Sequence, residues 1–216
     1  MNKCDFCEEF RFKNLKNDAP NKDRVIYTDG DVCLFPTVGC FVEGYLLLAS
    51  VEHLVSLYDC SVEMLSKIKL LIPKLRDAYR EKADTGMIFF EHGTVNDPTL
   101  SSVSVSHFHI HFLPVRDSIW KRINTKYDFK YYELSDLSEL HETIKKNKID
   151  VYLLLGDADG KIYLIDSGGK NYQSQFLRRV LFEYYYGDDA EKWNWRKHPY
   201  YDKMLATKKM FGDIKL

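Results

Sequence analysis

The sequence lacks long apolar runs and any marked excess of charge. No stretch approaches the roughly 20 consecutive apolar residues that a transmembrane helix needs. The N-terminal segment carries charged side chains at several positions and contains no apolar core of a signal peptide. The net charge is −1, which gives no general electrostatic attraction for nucleic acids or anionic membranes. We therefore expect a cytoplasmic protein that binds neither a membrane nor polymeric nucleic acid.

Cysteine is scarce as well. Five cysteines, an odd number, do not fit a framework of disulfide bonds and are consistent with a reducing compartment. Internal repeats, low-complexity tracts and flexible linkers are also absent from the sequence. Hydrophobic residues make up 45% and aromatic residues 14% of the 216 positions, which is sufficient for the core of one large domain or of a domain with an extension.

The most informative motif is an alternation of histidine with apolar residues. Residues 107–113 read His-Phe-His-Ile-His-Phe-Leu, and a period of two predicts a strand with the imidazoles on one face and the apolar side chains on the other. Neighbouring imidazoles would lie roughly 6.5–7 Å apart, close enough to address one phosphate chain, or one phosphate and one metal ion. A histidine-rich metal tract is the simpler alternative. Three alternating histidines in a chain with only seven favour a functional site.

This heptapeptide resembles the signature of the histidine-triad (HIT) nucleotide hydrolases and transferases, which is His-x-His-x-His followed by two apolar residues. The resemblance implies an α+β fold in which helices flank an antiparallel sheet. It also implies that the middle histidine, His109, attacks the α-phosphorus of a nucleotide and that His111 faces the phosphate. Imidazole chemistry supports this assignment, because neutral imidazole is a nucleophile near pH 7 and its nucleotidyl adduct is labile.

Further segments resemble a subgroup of this family. Residues 91–93, Glu-His-Gly, are similar to a tripeptide that the subgroup carries in a long loop before the triad. Ser174–Arg179 and Trp193–Arg196 look like its Ser-Gln-x-x-Arg-Arg helix and the Trp-rich segment that follows. We therefore expect residues 1–115 to form a HIT-like catalytic domain. Residues 116–216 should form a C-terminal α/β extension that packs on it and does not fold independently.

The residues that would bind the nucleotide depart from the family pattern. The usual Gly-Gln-Ser/Thr-Val-x-His is replaced by Ser-Val-Ser-Val-Ser-His at 102–107, so the glutamine is lost while a hydroxyl remains at Ser104. The position that often holds the ribose hydroxyls aligns near Thr37. We expect Gln175 or Arg178 to contact phosphate and to compensate for the missing glutamine. The alternative for these two is a solvated helix face.

Cys4 and Cys7 form a C-x-x-C pair. A redox pair of this spacing normally follows a strand, and three preceding residues leave no room for one. A zinc site is therefore the better interpretation, with two thiolates supplied from a tight turn and two more ligands from elsewhere. Unligated thiols in a frayed N-terminal segment are the alternative.

The resemblance implies where the other two ligands are. Several HIT proteins pair an N-terminal C-x-x-C with the first histidine of the triad, here His107, and with a histidine that ends a Gly-His-x-Leu-Val-x-Pro-x-x-His segment. Gly44–His53 resembles this segment, with Tyr45 and Ser50 in place of the usual His and Pro. The expected site is one structural zinc ion bound by Cys4, Cys7, His53 and His107.

The remaining pattern predicts regular elements around these motifs. Two strands should meet over the Asp29-Gly30 turn, and Ser61 should cap a helix that Pro73 kinks or interrupts. Asp150–Leu155 and Lys161–Asp166 are typical of a hairpin, which would extend the first sheet.

Three functions are compatible with these residues. The leading one is hydrolysis of a nucleoside phosphoanhydride or phosphoramidate, such as a dinucleoside polyphosphate or a nucleotide conjugate, through a nucleotidyl-histidine intermediate. The second is adenylyl or uridylyl transfer. Uridylyltransferases that resemble this fold carry Gln at the position of His111, so His111 favours hydrolysis. The third is a non-catalytic binding module like the splicing-associated branch of the family, against which the intact His109 argues. The base, the phosphate-chain length and the oligomeric state, monomer or homodimer, are left open.

Overall fold

The computed structural model describes residues 4–12, 23–95, 105–167, 175–187 and 192–216. Eight strands in these residues form one sheet: β1 (Tyr27–Thr28), β2 (Val32–Pro36), β3 (Leu46–Ser50), β4 (Met87–Thr94), β5 (His109–Pro114), β6 (Lys130–Leu134), β7 (Val151–Gly156) and β8 (Ile162–Asp166). Six α-helices accompany it: α1 (Asp5–Phe12), α2 (Val62–Ala83), α3 (Trp120–Tyr127), α4 (Leu140–Asn147), α5 (Phe176–Tyr186) and α6 (Tyr201–Phe211). Two 3₁₀ turns lie at Leu57–Asp59 and Leu137–Glu139.

All strand pairs in this sheet are antiparallel, and the strand order is β1-β2-β3-β5-β4-β7-β8-β6. The predicted α+β class and antiparallel sheet are therefore confirmed. β5 lies near the centre, between β3 and β4. The predicted hairpin, β7 and β8, does extend this sheet, because β7 pairs with β4 and places Leu155 opposite Phe90. The predicted boundary at residue 115 thus falls between strands of one sheet, and the division into two parts stays a prediction.

Alternation along the strands separates the two faces of the sheet. On β5, Ile110 and Phe112 belong to the buried cluster that includes Ile68, Leu71 and Leu75 of α2. His111 is opposite Leu47 of β3 and Phe90 of β4, which belong to the other buried cluster. That second cluster includes residues of α1, α3 and α5. The period of two therefore puts His109 and His111 on the face that these three helices cover.

The longest helix, α2, begins as predicted, since the Ser61 side chain accepts a hydrogen bond from the Met64 N–H at 3.1 Å. Pro73 lies inside the helix but does not end it, so that alternative is wrong. Ile72 and Leu75 are buried on either side of Pro73, and their packing holds both parts of the helix against the sheet. Within the described part of the chain, no helix has the length and apolar character needed to cross a membrane.

Three segments differ from the sequence predictions. The C-x-x-C pair lies at the start of helix α1 rather than in an isolated tight turn. Residues 91–93 lie in β4 and not in a loop, because Glu91 and Gly93 continue the pairing of β4 with β7. Helix α6 was not predicted, since its apolar residues form no clear stripe.

Candidate functional site

His107 lies in a bend immediately before β5, so only His109 and His111 of the three histidines lie within the strand. The strand begins two residues later than the alternation predicts, because the chain is held differently there. The Phe108 N–H donates to the Leu54 carbonyl at 2.7 Å, and pairing with β3 includes no residue before His109. The His107 imidazole faces the N-terminal cysteines, with Nδ1 3.4 Å from Cys4 Sγ and 3.6 Å from Cys7 Sγ.

The four side chains predicted to bind zinc lie together. The ligand atoms of Cys4, Cys7, His53 and His107 are all within 4.8 Å of one another. The Sγ–Nδ1 distances are 3.2 Å for Cys7–His53, 3.4 Å for Cys4–His107 and 3.6 Å for Cys7–His107. A tetrahedral zinc site with bonds of about 2.3 Å to sulfur and about 2.0 Å to nitrogen places such atoms about 3.6 Å apart. The donor set and its spacing are therefore compatible with zinc.

A backbone contact sets the tautomer of His107. Its Nε2–H donates to the Ser50 carbonyl oxygen at 2.8 Å, so a neutral His107 carries its lone pair on Nδ1, which faces the cysteine sulfurs. Metal-binding histidines commonly donate their second nitrogen to such an acceptor. The Ser50 hydroxyl oxygen also lies 3.3 Å from His107 Nε2, but the shorter contact is to a backbone carbonyl, so the departure from the family's proline leaves it intact.

Phe6 brings helix α1 into contact with the triad. Its ring lies edge-on at 5.5 Å from the His107 ring and 5.4 Å from the His109 ring, measured between centroids. The side chain is buried and also packs on Phe35 of β2. Sequence reasoning missed this contact, because Phe6 occupies one of the unspecified positions of C-x-x-C.

His109 is half-buried on β5, and its orientation is set by the residue before it on the same face. Its Nδ1–H donates to the His107 carbonyl oxygen at 2.6 Å, so the neutral ring has its lone pair on Nε2. Burial lowers the pKa of His109 below its usual value of 6.5, although the hydrogen bond to His107 acts in the opposite direction. A neutral imidazole with a free Nε2 lone pair is the form that can attack phosphorus.

His111 is buried between Phe90 and Tyr45. Its ring stacks on Phe90 with centroids 4.3 Å apart and planes 7° from parallel, and it lies 4.8 Å from the His109 ring. The Tyr45 hydroxyl is 2.7 Å from His111 Nδ1. Burial raises the pKa of Tyr45 to about 12, so its hydroxyl stays protonated and can donate. Burial, together with the charges of His109, His92 and Arg178, keeps the pKa of His111 well below 6.5. His111 is therefore neutral, with Nδ1 accepting from Tyr45 and Nε2–H left to donate.

His92 connects β4 to helix α5. Its Nε2 accepts a hydrogen bond from the Leu177 N–H at 3.2 Å, and its ring lies 6.4 Å from the His111 ring. Burial, aided by the charge of His109, lowers the pKa of His92 to about 3. The residue is neutral in a hydrogen bond that docks the start of α5 beside the triad.

Glu91 and Gly93, the neighbours of His92 in β4, contact residues on the opposite face of the sheet. The Glu91 carboxyl group accepts from the Leu57 N–H at 2.6 Å and from the Tyr152 hydroxyl at 3.0 Å, and burial raises the pKa of Glu91 to about 8. A Cβ at Gly93 would lie 1.9 Å from the Tyr152 ring. Glu-His-Gly is thus a strand segment in which the first and last residues hold Tyr152 and the 3₁₀ turn after Ser56.

Three of the residues predicted to bind the nucleotide are Ser104, Thr37 and Gln175. Ser104 lies outside the described residues. Thr37 is buried, and its hydroxyl donates to the Val38 carbonyl at 2.9 Å. Gln175 is half-buried and precedes α5 with a left-handed φ of 60°. Nucleotide binding by these residues stays a prediction.

Arg178, also predicted to contact phosphate, is buried beneath the loop that follows β2. Its Nη2 donates to the Gly39 carbonyl, and its Nε donates to the Trp193 carbonyl at 3.0 Å. The guanidinium carbon lies 4.9 Å from the Phe41 ring and 5.2 Å from the Tyr45 ring. Two carbonyls and two aromatic rings therefore lie around the guanidinium, and phosphate contact stays a prediction.

A family model described as "Protein similar to CwfJ C-terminal" matches residues 1–130 of the chain. This range holds the cysteine pair, the Gly44–His53 segment and the complete triad. No curated protein matches the chain significantly.

Several solved structures are similar to part of the chain. A Zn-bound histidine triad family protein from Mycobacterium smegmatis shows 23% identity over 53% of this chain and 76% of its own, with a TM-score of 0.41. A HIT family protein from Bacillus anthracis shows 21% identity over 68% of this chain and 97% of its own, with a TM-score of 0.43. A Hit-like protein from Bartonella henselae shows 21% identity over 54% and 81%, with a TM-score of 0.41.

Proposed function

We propose that this chain, which belongs to the family of proteins similar to the CwfJ C-terminal region, is a histidine-triad hydrolase of a nucleoside phosphoanhydride or phosphoramidate. The observation that carries the proposal is the hydrogen bond between His109 Nδ1–H and the His107 carbonyl. It leaves Nε2 of a neutral imidazole as the nucleophilic atom, next to a second neutral histidine that can donate from its own Nε2.

The reaction would take two displacements at phosphorus. His109 Nε2 attacks the α-phosphorus and forms a P–N bond, while the bond to the leaving group breaks and its electron pair leaves with that group, which takes up a proton from solvent. Water then attacks the same phosphorus and releases a proton to solvent, while the P–N bond breaks and its electron pair returns to His109 Nε2. His111 Nε2–H would donate to a phosphoryl oxygen, where negative charge grows in both transition states.

We also propose that the metal held by Cys4, Cys7, His53 and His107 is zinc. Two thiolates and two imidazoles would close a tetrahedral site, so the ion would supply structural cross-linking and would leave no open position for water. The chain's own residues do the rest. The cysteines anchor α1, Phe6 packs on His109, and His107 sets the carbonyl that orients the nucleophile.

The test is product analysis with the full chain. Diadenosine polyphosphates, adenosine phosphoramidate, and a sugar 1-phosphate with a nucleotide sugar are incubated separately, and intact-protein mass spectrometry after acid-free quenching searches for a nucleotidyl adduct. We expect nucleoside monophosphate products from the first or second substrate. The adduct should disappear in His109→Ala.

The same assay separates the alternatives. Transfer from the nucleotide sugar without hydrolysis would replace the hydrolase by a nucleotidyltransferase. Nucleotide binding without any product or adduct would mean a binding module. His141→Ala is a matched control, because within the described part of the chain this half-buried histidine of α4 hydrogen-bonds to the Tyr58 carbonyl, at 2.7 Å, and to no triad residue.

A further inference from the structure

We infer that Tyr45 and Arg178 are positioning residues that hold His111 in one orientation and one tautomer, so that the segment beyond residue 175 completes the site. The catalytic meaning of this inference rests on the proposed function. The geometry does not, because it concerns only contacts within the chain.

The first contact is between Tyr45 and His111. Phe90 stacks on the flat face of the imidazole, and the Tyr45 hydroxyl meets its edge at Nδ1. A face contact alone would allow the ring to flip by 180° about its Cβ–Cγ bond, because the flipped ring keeps the same plane and only exchanges its Nδ1 and Cδ2 edges. The hydroxyl at one edge defines which nitrogen lies there, and therefore which nitrogen is left for substrate.

The second contact, between Arg178 and Tyr45, determines which group is the donor in the hydrogen bond between Tyr45 and His111. The Arg178 guanidinium carbon lies 5.2 Å from the centre of the Tyr45 ring. Its charge and its polar contact with the hydroxyl lower the pKa of Tyr45, against the larger effect of burial, which raises it. A cation beside the oxygen favours a lone pair on that side, which turns the hydroxyl proton toward His111 Nδ1. The opposite arrangement would leave a buried hydroxyl proton without an acceptor, which costs free energy.

Arg178 can act in this way because the C-terminal segment is locked onto the loop after β2. Gly39 donates its N–H to the Pro199 carbonyl at 2.6 Å and accepts from Arg178. Its φ is +80°, and a Cβ there would lie 2.2 Å from the Trp195 Cβ and 2.7 Å from Arg178 Nη2. Only glycine fits this junction, so the position of the guanidinium is determined by backbone contacts on both sides.

The consequence for catalysis concerns the donor. With Nδ1 accepting from Tyr45, His111 presents Nε2–H, which can donate to a phosphoryl oxygen. With the tautomer reversed, Nε2 would present a lone pair to that oxygen and repel it. Tyr45 and Arg178 thus act through His111, without contact with the substrate.

The inference is tested first without any turnover. Long-range ¹H–¹⁵N NMR of the full chain with labelled histidine identifies the protonated nitrogen of each ring, and the His111 signals are assigned by their loss in His111→Gln. We expect a single Nε2–H tautomer in the parent and a mixture of tautomers in Tyr45→Phe. Tyr152→Phe is the matched control, since it removes another buried hydroxyl on the opposite face of the sheet and should leave His111 unchanged. Identical His111 spectra in the parent and in Tyr45→Phe would overturn the inference.

The second test is a double-mutant cycle on the substrate that the parent hydrolyses. Tyr45→Phe should lower kcat about tenfold or more with little change in KM, as for other residues that orient a reactive histidine. Arg178→Lys should lower kcat as well, and the double variant should lose no more than Tyr45→Phe alone. Additive losses with a raised KM for Arg178→Lys would mean direct phosphate binding and would overturn the positioning role. Tautomer control in a chain that hydrolyses none of the substrates would remove the proposed function and leave the positioning contact standing.

Discussion

Helices α1 and α5 reach the histidines through different kinds of contact. The N-terminal helix α1 meets His107 and His109 through cysteine sulfurs and the Phe6 ring. Helix α5 meets His92 through a backbone hydrogen bond and approaches His111 through Tyr45. A thiol–imidazole cluster depends on a metal ion and on deprotonated ligands, whereas hydrogen bonds between buried neutral groups form on folding alone. We call the contacts of α1 with His107 and His109 the N-terminal attachment, and those of α5 with His92 and His111 the C-terminal attachment. Because they depend on different chemistry, the two attachments can be broken separately.

The largest expected effect is at His109, the proposed nucleophile, which α1 contacts through Phe6. His109→Ala should lower hydrolysis by about a thousandfold or more, because neither a neighbouring imidazole nor the metal cluster can replace a covalent nucleophile. Steady-state rates measure this, and far-ultraviolet circular dichroism and thermal unfolding should remain near the parent's. Activity within tenfold of the parent would remove His109 from the mechanism, with His141→Ala showing the effect of losing an uninvolved histidine.

Removal of the metal should break the N-terminal attachment alone. We expect about one zinc per chain by elemental analysis, and chelation should lower Tm by about 10 °C, since a ligand at a thousand times its Kd adds about 4 kcal/mol to the free energy of unfolding. Hydrolysis should fall together with Tm, while the His111 tautomer should persist. Cys7→Ser is the internal control, because it should start with a low Tm that chelation does not change. Less than about a tenth of a zinc per chain, with both thiols freely titratable, would mean that no metal cluster exists.

His111→Gln acts on the C-terminal attachment. Gln can still hydrogen-bond a phosphate oxygen but lacks the ring that Phe90 and Tyr45 orient, so hydrolysis should fall by roughly tenfold to a hundredfold. The fraction of nucleotide transferred to an added alcohol rather than to water should rise. Product ratios by chromatography measure both changes. An unchanged rate and an unchanged ratio would exclude His111 from phosphate binding and from the transition state.

The smallest effect concerns Glu91, on the face of the sheet opposite the histidines. Burial raises the pKa of Glu91 to about 8, above its usual value of 4.5. The folded state therefore binds a proton that the unfolded state releases, so Glu91 lowers the stability of the fold progressively as pH rises from about 4.5 to about 8. Glu91→Gln should flatten this part of the stability profile and leave hydrolysis nearly unchanged.

Urea unfolding midpoints between pH 5 and pH 9 provide the measurement for Glu91. Glu81→Gln, at an exposed position of α2, is the matched control and should keep the parent's slope. A Glu91→Gln profile parallel to the parent's would show that the carboxyl group is not held protonated.

Local patterns predicted the elements that depend on local physics. The alternation after His107, the cap at Ser61 and the hairpin of β7 and β8 were all visible in the sequence, since strand period, capping and turn chemistry act over a few residues. The strand position of Glu91-His92-Gly93 was not visible. It depends on pairing with β7, which lies far along the chain.

The candidate site also combines features that the sequence predicts with features that depend on the tertiary structure. The sequence alone determined the residue types that can perform the chemistry: three closely spaced histidines, a pair of cysteines and a fourth imidazole at His53. Only the tertiary structure decided how they are used. The bend at His107 places a proposed metal ligand just before the two strand histidines, and Arg178 reaches Gly39 across 139 positions of sequence. Contacts at that separation form only when the core packs, because apolar burial and backbone pairing across the whole sheet determine which distant side chains meet.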